Sequence, residues 1–473
     1  MAAPGLSPAR ALRARVRALF AEAFSTGESD LTHAPIDRAV LVLAIPMVLE
    51  MAMESVFAIT DMFFVATLGA AAVAAVGLTE AVMMLVYAVA VGLGMGVTAL
   101  VARRVGEGHD EAAGRVAGQA LWLGLVTAAV VAVAGIGYGE AILRLMGADA
   151  AIIDVGAGYT RVLLGGAASV VYIFLLNAAF RGAGQPAVAM RALALANGIN
   201  ILLDPCLIFG LGPLPELGVT GAATATTIGR SVAVVYLLAR LWRGAPHLRV
   251  RLRHVALAPA VMLALVRVSL GGIAQFLVAT ASWVFLMRLV ATFGGAAIAG
   301  YTIAIRIMDV TILPAWGLSN AAATLVGQNL GARAVARAEE AVAVVMRYTV
   351  GFMLLVAVVF LLGAEILVGA FTSEASVAGY ATACLRLVAL GYGFLAAGLV
   401  LTQAFNGAGD TWTPTAINLA CFWALQLPLA WWLSTPLGHG PGGVFLAVTV
   451  AEAAVALLAW YVYRRGRWRR VTI

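Results

Sequence analysis

The sequence predicts an all-α integral membrane protein in which twelve transmembrane helices form two six-helix bundles related by a pseudo-two-fold axis. Three observations carry this expectation. Apolar residues make up 63% of the 473-residue chain and charged residues 11%, far from the roughly one-half and one-quarter of soluble domains. Twelve apolar runs are each about twenty residues or longer, the length needed to cross a hydrocarbon core. The second half also repeats the first at an offset of 225 positions. Leu68-Gly69-Ala70-Ala71 returns as Phe293-Gly294-Gly295-Ala296, Gly92-Leu93 as Gly317-Leu318, and Gly106 as Gly331. The same offset carries Ala179-Phe180-Arg181-Gly182-Ala183-Gly184 onto Ala404-Phe405-Asn406-Gly407-Ala408-Gly409, and Gly218-Val219 onto Gly443-Val444. Doubled bundles of this kind carry a pathway at the seam between their copies.

Residues 1–38 hold Arg10, Arg13, Arg15 and Arg17 with no acid before Glu22. They read as an amphipathic helix on the inner leaflet, held by anionic lipid, in preference to an organellar transit peptide. No cleavable secretory signal is expected, because the first long apolar run begins only near Ala39. The first lobe, 39–241, contains spans near 39–62, 73–101, 116–138, 155–180, 187–211 and 219–241. A cytoplasmic linker follows at 242–256, in an arginine-rich stretch from Arg240 to His254 that Pro246 interrupts. The second lobe, 257–463, contains spans near 257–290, 296–328, 341–363, 377–405, 413–434 and 443–463. Trp460-Tyr461-Val462-Tyr463 reads as an interfacial anchor, and 464–473 as a basic cytoplasmic tail.

Alternating the loops sorts the charges. Arg103, Arg104, Arg115, Arg181, Arg191, the linker arginines, Arg333, Arg337 and both termini fall on one side; Arg144 and Arg161 fall on the other. Arginine bias makes the first side cytoplasmic and places the protein in the plasma (inner) membrane with both termini inside. Six spans per copy is an even number, so the two copies enter the membrane in the same direction. Gly92, Gly94 and Gly96 sit mid-span, where small residues let helices approach closely.

Other function classes find little support. All 30 basic residues are arginine, and their clustering between apolar runs follows topology rather than nucleic-acid binding. Cys206, Cys384 and Cys421 lie in apolar stretches without paired spacing, so neither a disulfide framework nor a metal site is indicated. The five histidines are scattered, and no metalloprotease, nucleophile-elbow or P-loop motif occurs. The chain is therefore expected not to be an enzyme and to need no cofactor, and any pumping must draw on an ion gradient.

Ionisable groups inside a span are costly and so mark function by default. Glu50, Glu54 and Asp61 lie at spacings of four and seven, one face of the first span; Asn197, Asn200 and Asp204 lie at three and four, one face of the fifth. Pro205 follows directly and lacks a backbone donor, which frees a carbonyl for coordination. Two polar faces in one bundle suggest a shared cation site. At the 225 offset Glu50 becomes Gln275, Glu54 Ala279, Asp61 Leu286, Asn200 Leu425 and Asp204 Leu429. The scaffold is duplicated and the acids are not, which favours a function confined to the first lobe. The bland reading is that Asp61 and Asp204 cap helix ends or meet buried arginines. Arg306 and Asp309 have the spacing of a helical ion pair. Glu80 lines the cavity mouth or faces outer water.

The chain resembles the multidrug and toxic compound extrusion (MATE) family from Pro46 to the twelfth span. The likeness rests on Pro46, Asp61-Met62-Phe63-Phe64-Val65, Asn200-Ile201-Leu202-Leu203-Asp204-Pro205, Gly327-Gln328-Asn329-Leu330-Gly331-Ala332 and Phe405-Asn406-Gly407-Ala408-Gly409-Asp410-Thr411. The resemblance implies two bundles around a central cavity, and export of amphipathic or cationic organic compounds in exchange for H+ or Na+. It is most similar to the DinF-like branch, which implies a cation-coupling site of Asp61, Asn200, Asp204, Glu54 and Thr226, with Na+ at Asp61, Asn200 and Asp204 as an alternative to H+. Glu54 replaces the amide expected there and adds a carboxylate that bears on ion choice. The NorM-like acids of the seventh and tenth spans have no counterpart, since 257–290 and 377–405 contain none. Glu50, Asn197, Glu80 and Gln275 are candidates for the substrate cavity. Expected partners are small organic substrates and membrane lipid, with no nucleic acid, for a monomeric carrier. The alternative is a lipid-linked oligosaccharide flippase on a similar scaffold, which would want a basic cavity; only Arg288 and Arg306 look placed for one.

Overall fold

The computed structural model describes residues 8–27 and 31–473, with side chains from residue 16 onward apart from 28–30. A helix forms over each predicted apolar run. In the first lobe the spans are Ile36–Ala66, Ala70–Gly106, Asp110–Leu145, Ala150–Gly182, Pro186–Phe209 and Val219–Arg243. The second lobe follows with Pro259–Ala291, Gly295–Gly331, Val335–Gly369, the broken tenth span Ala375–Ala389 plus Tyr392–Ala408, then Trp412–Ser434 and Pro441–Arg464. Even the 23 residues of Trp412–Ser434 rise about 34 Å at 1.5 Å per residue, enough for a core of about 30 Å. Among the described residues no β-strand forms beyond one isolated bridge, Ala245 to Leu248.

The duplication extends to the breaks. The fourth span divides at Gly166 and the tenth at Gly391, positions 225 apart, and the tenth bends there by 57°. Glycine at both places lets a neighbouring helix press in: a Cβ on Gly166 would lie 2.5 Å from Thr227 Cγ2, and one on Gly391 3.3 Å from Thr449. The copies differ at the eleventh span, where Leu419–Gln426 widens into a π-helix just before Pro428, which has no N–H to continue the tighter ladder.

The lobes interlock reciprocally. The start of the first span, including Val40, Leu43 and Met47, packs into the second lobe beside Ala322 and Val326. Leu265 and Val268, at the start of the seventh, pack into the first lobe beside Val97 and Leu100. Glycines make the close approaches. A Cβ on Gly92 would fall 2.3 Å from the backbone of Ile273, and one on its repeat mate Gly317 2.6 Å from the carbonyl of Met47. At the span ends a Cβ on Gly106 would stand 1.9 Å from Gln328 O, and one on its mate Gly331 2.3 Å from Arg103 O. Gln328 is itself the repeat mate of Arg103, so this contact is two-fold symmetric. Thr324 and Gln328 add side-chain donation to the carbonyls of Arg181 and Gly182, at 3.1 and 2.9 Å. These contacts lie between mid-span and the face that carries both termini, and they close that face.

Both ends of the chain dock on it. Pro8–Ala23 is helical; the side chains of Arg10, Arg13 and Arg15 lie outside the described residues. Glu22 pairs with Arg38 at 2.7 Å, and the carbonyls of Phe24 and Gly27 accept from Arg191 and Gln185. The tail is more than a membrane anchor. Trp460 and Tyr461 are exposed, but Trp468 is buried and stacks on Tyr463. Arg103 and Arg104 then donate to the carbonyls of Val471 and Ile473. The stretch 242–256 is no loose tether either. Glu111 of the third span accepts from Arg251, Arg253 and the buried His254 at 2.9, 2.6 and 2.6 Å, and Gln119 donates to the carbonyls of His254 and Ala256. This segment is therefore fastened to the first lobe, leaving a short joint before the helix that begins at Pro259.

Candidate functional site

Two polar sites occupy the first lobe, one beside the other. The deeper joins the first, fifth and sixth spans. Gly229 of the sixth span fits against the fifth so closely that a Cβ there would stand 2.6 Å from Ala196 O, and this approach brings Thr226 to Asn200. Asn200 Nδ2 donates to Thr226 Oγ1 at 3.0 Å and to Asp204 Oδ1, one turn on, at 3.1 Å. The helix continues past Pro205 to Phe209, and the missing proline N–H leaves the carbonyl one turn back, at Ile201, without its helical donor. Asp61 projects from the first span within electrostatic reach of Asp204. Asn197 Nδ2 ties the two helices by donating to Met53 O at 3.1 Å.

Three oxygens here have no donor: Asp61 Oδ1, Asn200 Oδ1 and Asp204 Oδ2. All three residues are buried, Asp204 completely. No arginine lies at ion-pair distance from Asp61 or Asp204 among the described contacts, so the bland expectation of structural arginine partners fails for these two. Buried charged acceptors without partners cost several kcal/mol, roughly. A proton or a cation removes that cost, and a set of carboxylate, amide and hydroxyl oxygens suits a hard cation. No group of three or more His, Cys, Asp and Glu residues able to hold a metal ion occurs among the described residues.

Next to it, between the lobes, lies a cavity of about 350 Å³, within the range for a drug-sized ligand. Met47, Met51, Met84, Met95, Phe276 and Trp316 give it flexible, polarisable walls. Repeat mates line it together: Met51 and Phe276, Met95 and Asn320, Arg181 and Asn406. Charge appears on the first-lobe wall alone. Glu50 Oε1 accepts from Asn177 at 3.2 Å and Arg181 at 3.4 Å, while its Oε2 stays unpartnered. Glu54 pairs with Arg230 at 3.5 Å; Arg230 also donates to Tyr87 OH at 3.1 Å and lies over the rings of Phe57 and Tyr87.

Of the residues expected to line the cavity, Glu50 does, and Glu54 joins it. Asn197, Glu80 and Gln275 are not part of its lining: Asn197 is turned to the first-span backbone, Gln275 is buried with a free Oε1, and Glu80 interacts with Arg306. The ion pair expected of Arg306 and Asp309 does not close: among the described contacts Arg306 reaches both Asp309 and Glu80 only through longer-range electrostatics. The cavity arginines are Arg181 and Arg230, in place of Arg288 and Arg306. The fourth apolar run stops at 180 and leaves Arg181 in a loop by sequence, but the helix runs on to Gly182. Arg230 sits inside an apolar run and so carries the same signal that singles out the acids.

Arg181→Ala is expected to leave Glu50 a buried carboxylate held by Asn177 alone, costing about 3 kcal/mol. A lower unfolding midpoint of the detergent-purified protein checks this, and Glu50→Gln/Arg181→Met should recover most of the loss.

Fold and site together define a duplicated two-lobe membrane carrier with a buried polar pocket beside a central cavity. The sequence pattern described as MatE matches residues 46–206 and again 272–432, two copies set within one position of the internal offset. The chain belongs to the MATE family of multidrug transporters. It is 27% identical over 451 residues to a protein of Shewanella oneidensis described as an FAD transporter, spanning 92% of this chain and 96% of that one. A probable multidrug resistance protein NorM of Thermotoga maritima is 25% identical, covering 92% and 94%. A solved structure described as the outward-facing conformation of a multidrug resistance MATE family transporter superposes with a TM-score of 0.87 at 27% identity, over 93% of this chain and 98% of that one.

Proposed function

We propose that this protein is a secondary antiporter that exports amphipathic or cationic organic compounds in exchange for H+ or Na+ by alternating access, as in the DinF-like branch. The reading is carried by the three buried, donor-less oxygens of Asp61, Asn200 and Asp204 next to an apolar cavity. Outward-facing, the carrier takes its coupling ion at Asp61 and Asp204, with Asn200 and Thr226 as neutral ligands. Neutralisation weakens the hold of the wall on a cationic substrate, so ion entry and substrate release oppose one another. Rocking of the lobes about the seam returns the site to the terminal side. That side is taken as the cytoplasm, because most arginines of the loops lie on it.

Reconstitution into liposomes tests the reading. An inward-directed pH or sodium gradient is expected to drive tetraphenylphosphonium against its own gradient; failure of both gradients to do so removes antiport. The relative described as an FAD transporter supports a second reading, export of an anionic amphiphile on Arg181 and Arg230. Each arginine is neutralised by a glutamate, which favours the first reading and also speaks against a flippase for pyrophosphate-linked sugars. Competition of FAD against tetraphenylphosphonium in the same liposomes separates the two.

A further inference from the structure

We infer that Arg230 is a tethered internal cation that transmits substrate binding at Glu54 to the ion site at Asp61. The inference rests on the antiport reading and supplies its coupling step.

Glu54 and Arg230 both line the cavity, whereas Asp61, Asn200, Asp204 and Thr226 do not. The pair therefore forms the partition between substrate space and ion site. Its members are unequal: the Glu54 side chain is 30% exposed and that of Arg230 only 9%. A cation entering the cavity meets the carboxylate first. Glu54 and Asp61 are seven positions apart on the same helix face, about 10 Å along the axis. Phe57 comes between them, three residues after one and four before the other. The guanidinium of Arg230 lies over that ring, 5.6 Å from its centroid, and 5.9 Å from the centroid of Tyr87. The charged and titratable groups acting on it are Tyr87, Glu54 and Asp61, and those acting on Asp61 include Glu80 as well as Arg230.

This geometry suits a sliding charge. The contact with Glu54 is a loose 3.5 Å rather than a bidentate clamp, and a ring face attracts a cation without fixing one hydrogen-bond direction. Movement of the guanidinium by about one helical turn along Phe57 exchanges Glu54 for Asp61. With Arg230 on Glu54, Asp61 and Asp204 need an external cation. When an organic cation takes Glu54, Arg230 is released, occupies Asp61, and the coupling ion leaves. One monovalent cation enters as one departs, so the local charge is unchanged and the exchange of a monocation is electroneutral. The second lobe carries Ala279, Leu286 and Val455 at the positions of Glu54, Asp61 and Arg230, and has no equivalent relay.

Tetraphenylphosphonium binding to the purified full-length protein, measured across pH and sodium concentration, tests this. In the wild type the Kd is expected to rise about tenfold for each tenfold rise in the coupling ion, as for one ion displaced. Arg230→Met, which leaves Glu54 open, is expected to bind the probe more tightly and to change less than about twofold over the same range. Arg230→Lys retains the ion dependence. If Arg230→Met is unstable, Glu54→Gln/Arg230→Met leaves no unpaired charge at the partition; it should still bind the coupling ion, and the probe should no longer displace it. Wild-type ion dependence in Arg230→Met, or displacement in the double variant, overturns the relay and leaves antiport standing. A wild type indifferent to both ions overturns antiport, and the relay with it.

Discussion

Asp61→Asn/Asp204→Asn is expected to abolish gradient-driven export, with accumulation against a gradient at least 100-fold below wild type. The expectation follows from the oxygens the two carboxylates leave without donors. With both acids ionised and Arg230 held on Glu54, the positive charge the pocket needs comes from a proton or a metal cation. Amides end that requirement: they are neutral at every pH and bind alkali cations feebly. A factor of 100 corresponds to about 2.7 kcal/mol, a modest part of what a buried unpaired carboxylate costs. The variant should fold, since Asp61 and Asp204 hold no ion pair that the exchange would break. Transport is measured in liposomes under an imposed gradient, alongside binding of the same substrate to the purified protein. Retained binding with lost concentrative transport is the predicted pattern. Undiminished uphill transport by the folded double variant would remove Asp61 and Asp204 from coupling.

Gly106→Val is expected to hold the carrier away from the closed terminal face and to lower turnover by about 100-fold, the equivalent of a 3 kcal/mol overpacking penalty. The Cβ would stand 1.9 Å from the carbonyl oxygen of Gln328. That atom belongs to a helix backbone and has no side-chain torsion through which to retreat. Gly331→Val should act alike, because it meets Arg103 O across the same pseudo-axis at 2.3 Å. Pulsed electron resonance between labels at His109 and Arg333 would report a longer separation in both variants. Gly77→Ala is the control: nothing lies within 4 Å of its added atom. Wild-type turnover in Gly106→Val would mean that closure does not pass through this contact.

Much of the fold was legible in the sequence because a bilayer makes hydropathy nearly a direct record of helix position. Every predicted run became a helix, and the 225-residue offset announced the two-lobe architecture. The fifth-span pattern of Asn200 and Asp204 was legible for a related reason, since helix periodicity alone puts them on one face. The partners of Glu50 and Glu54 were not. Glu50 meets Asn177 across 127 residues, and Glu54 meets Arg230 from another helix; no spacing rule reaches that far, because helix rotation and register are set by packing. Arg181 was concealed by an end effect, as hydropathy falls before the helical ladder ends. The glycines of the seam were visible as repeats, but which backbone each one admits became apparent only once the helices were in place.

The symmetric closure at Gly106 and Gly331 is a meeting of main-chain atoms. A latch built from peptide carbonyls and absent side chains asks almost nothing of the residues around it. Methionines and aromatics in the central chamber can therefore drift, and recognition can be retuned, while the moving joint keeps its fit. Lineages sharing this scaffold are free to diversify what they carry without relearning how to swing.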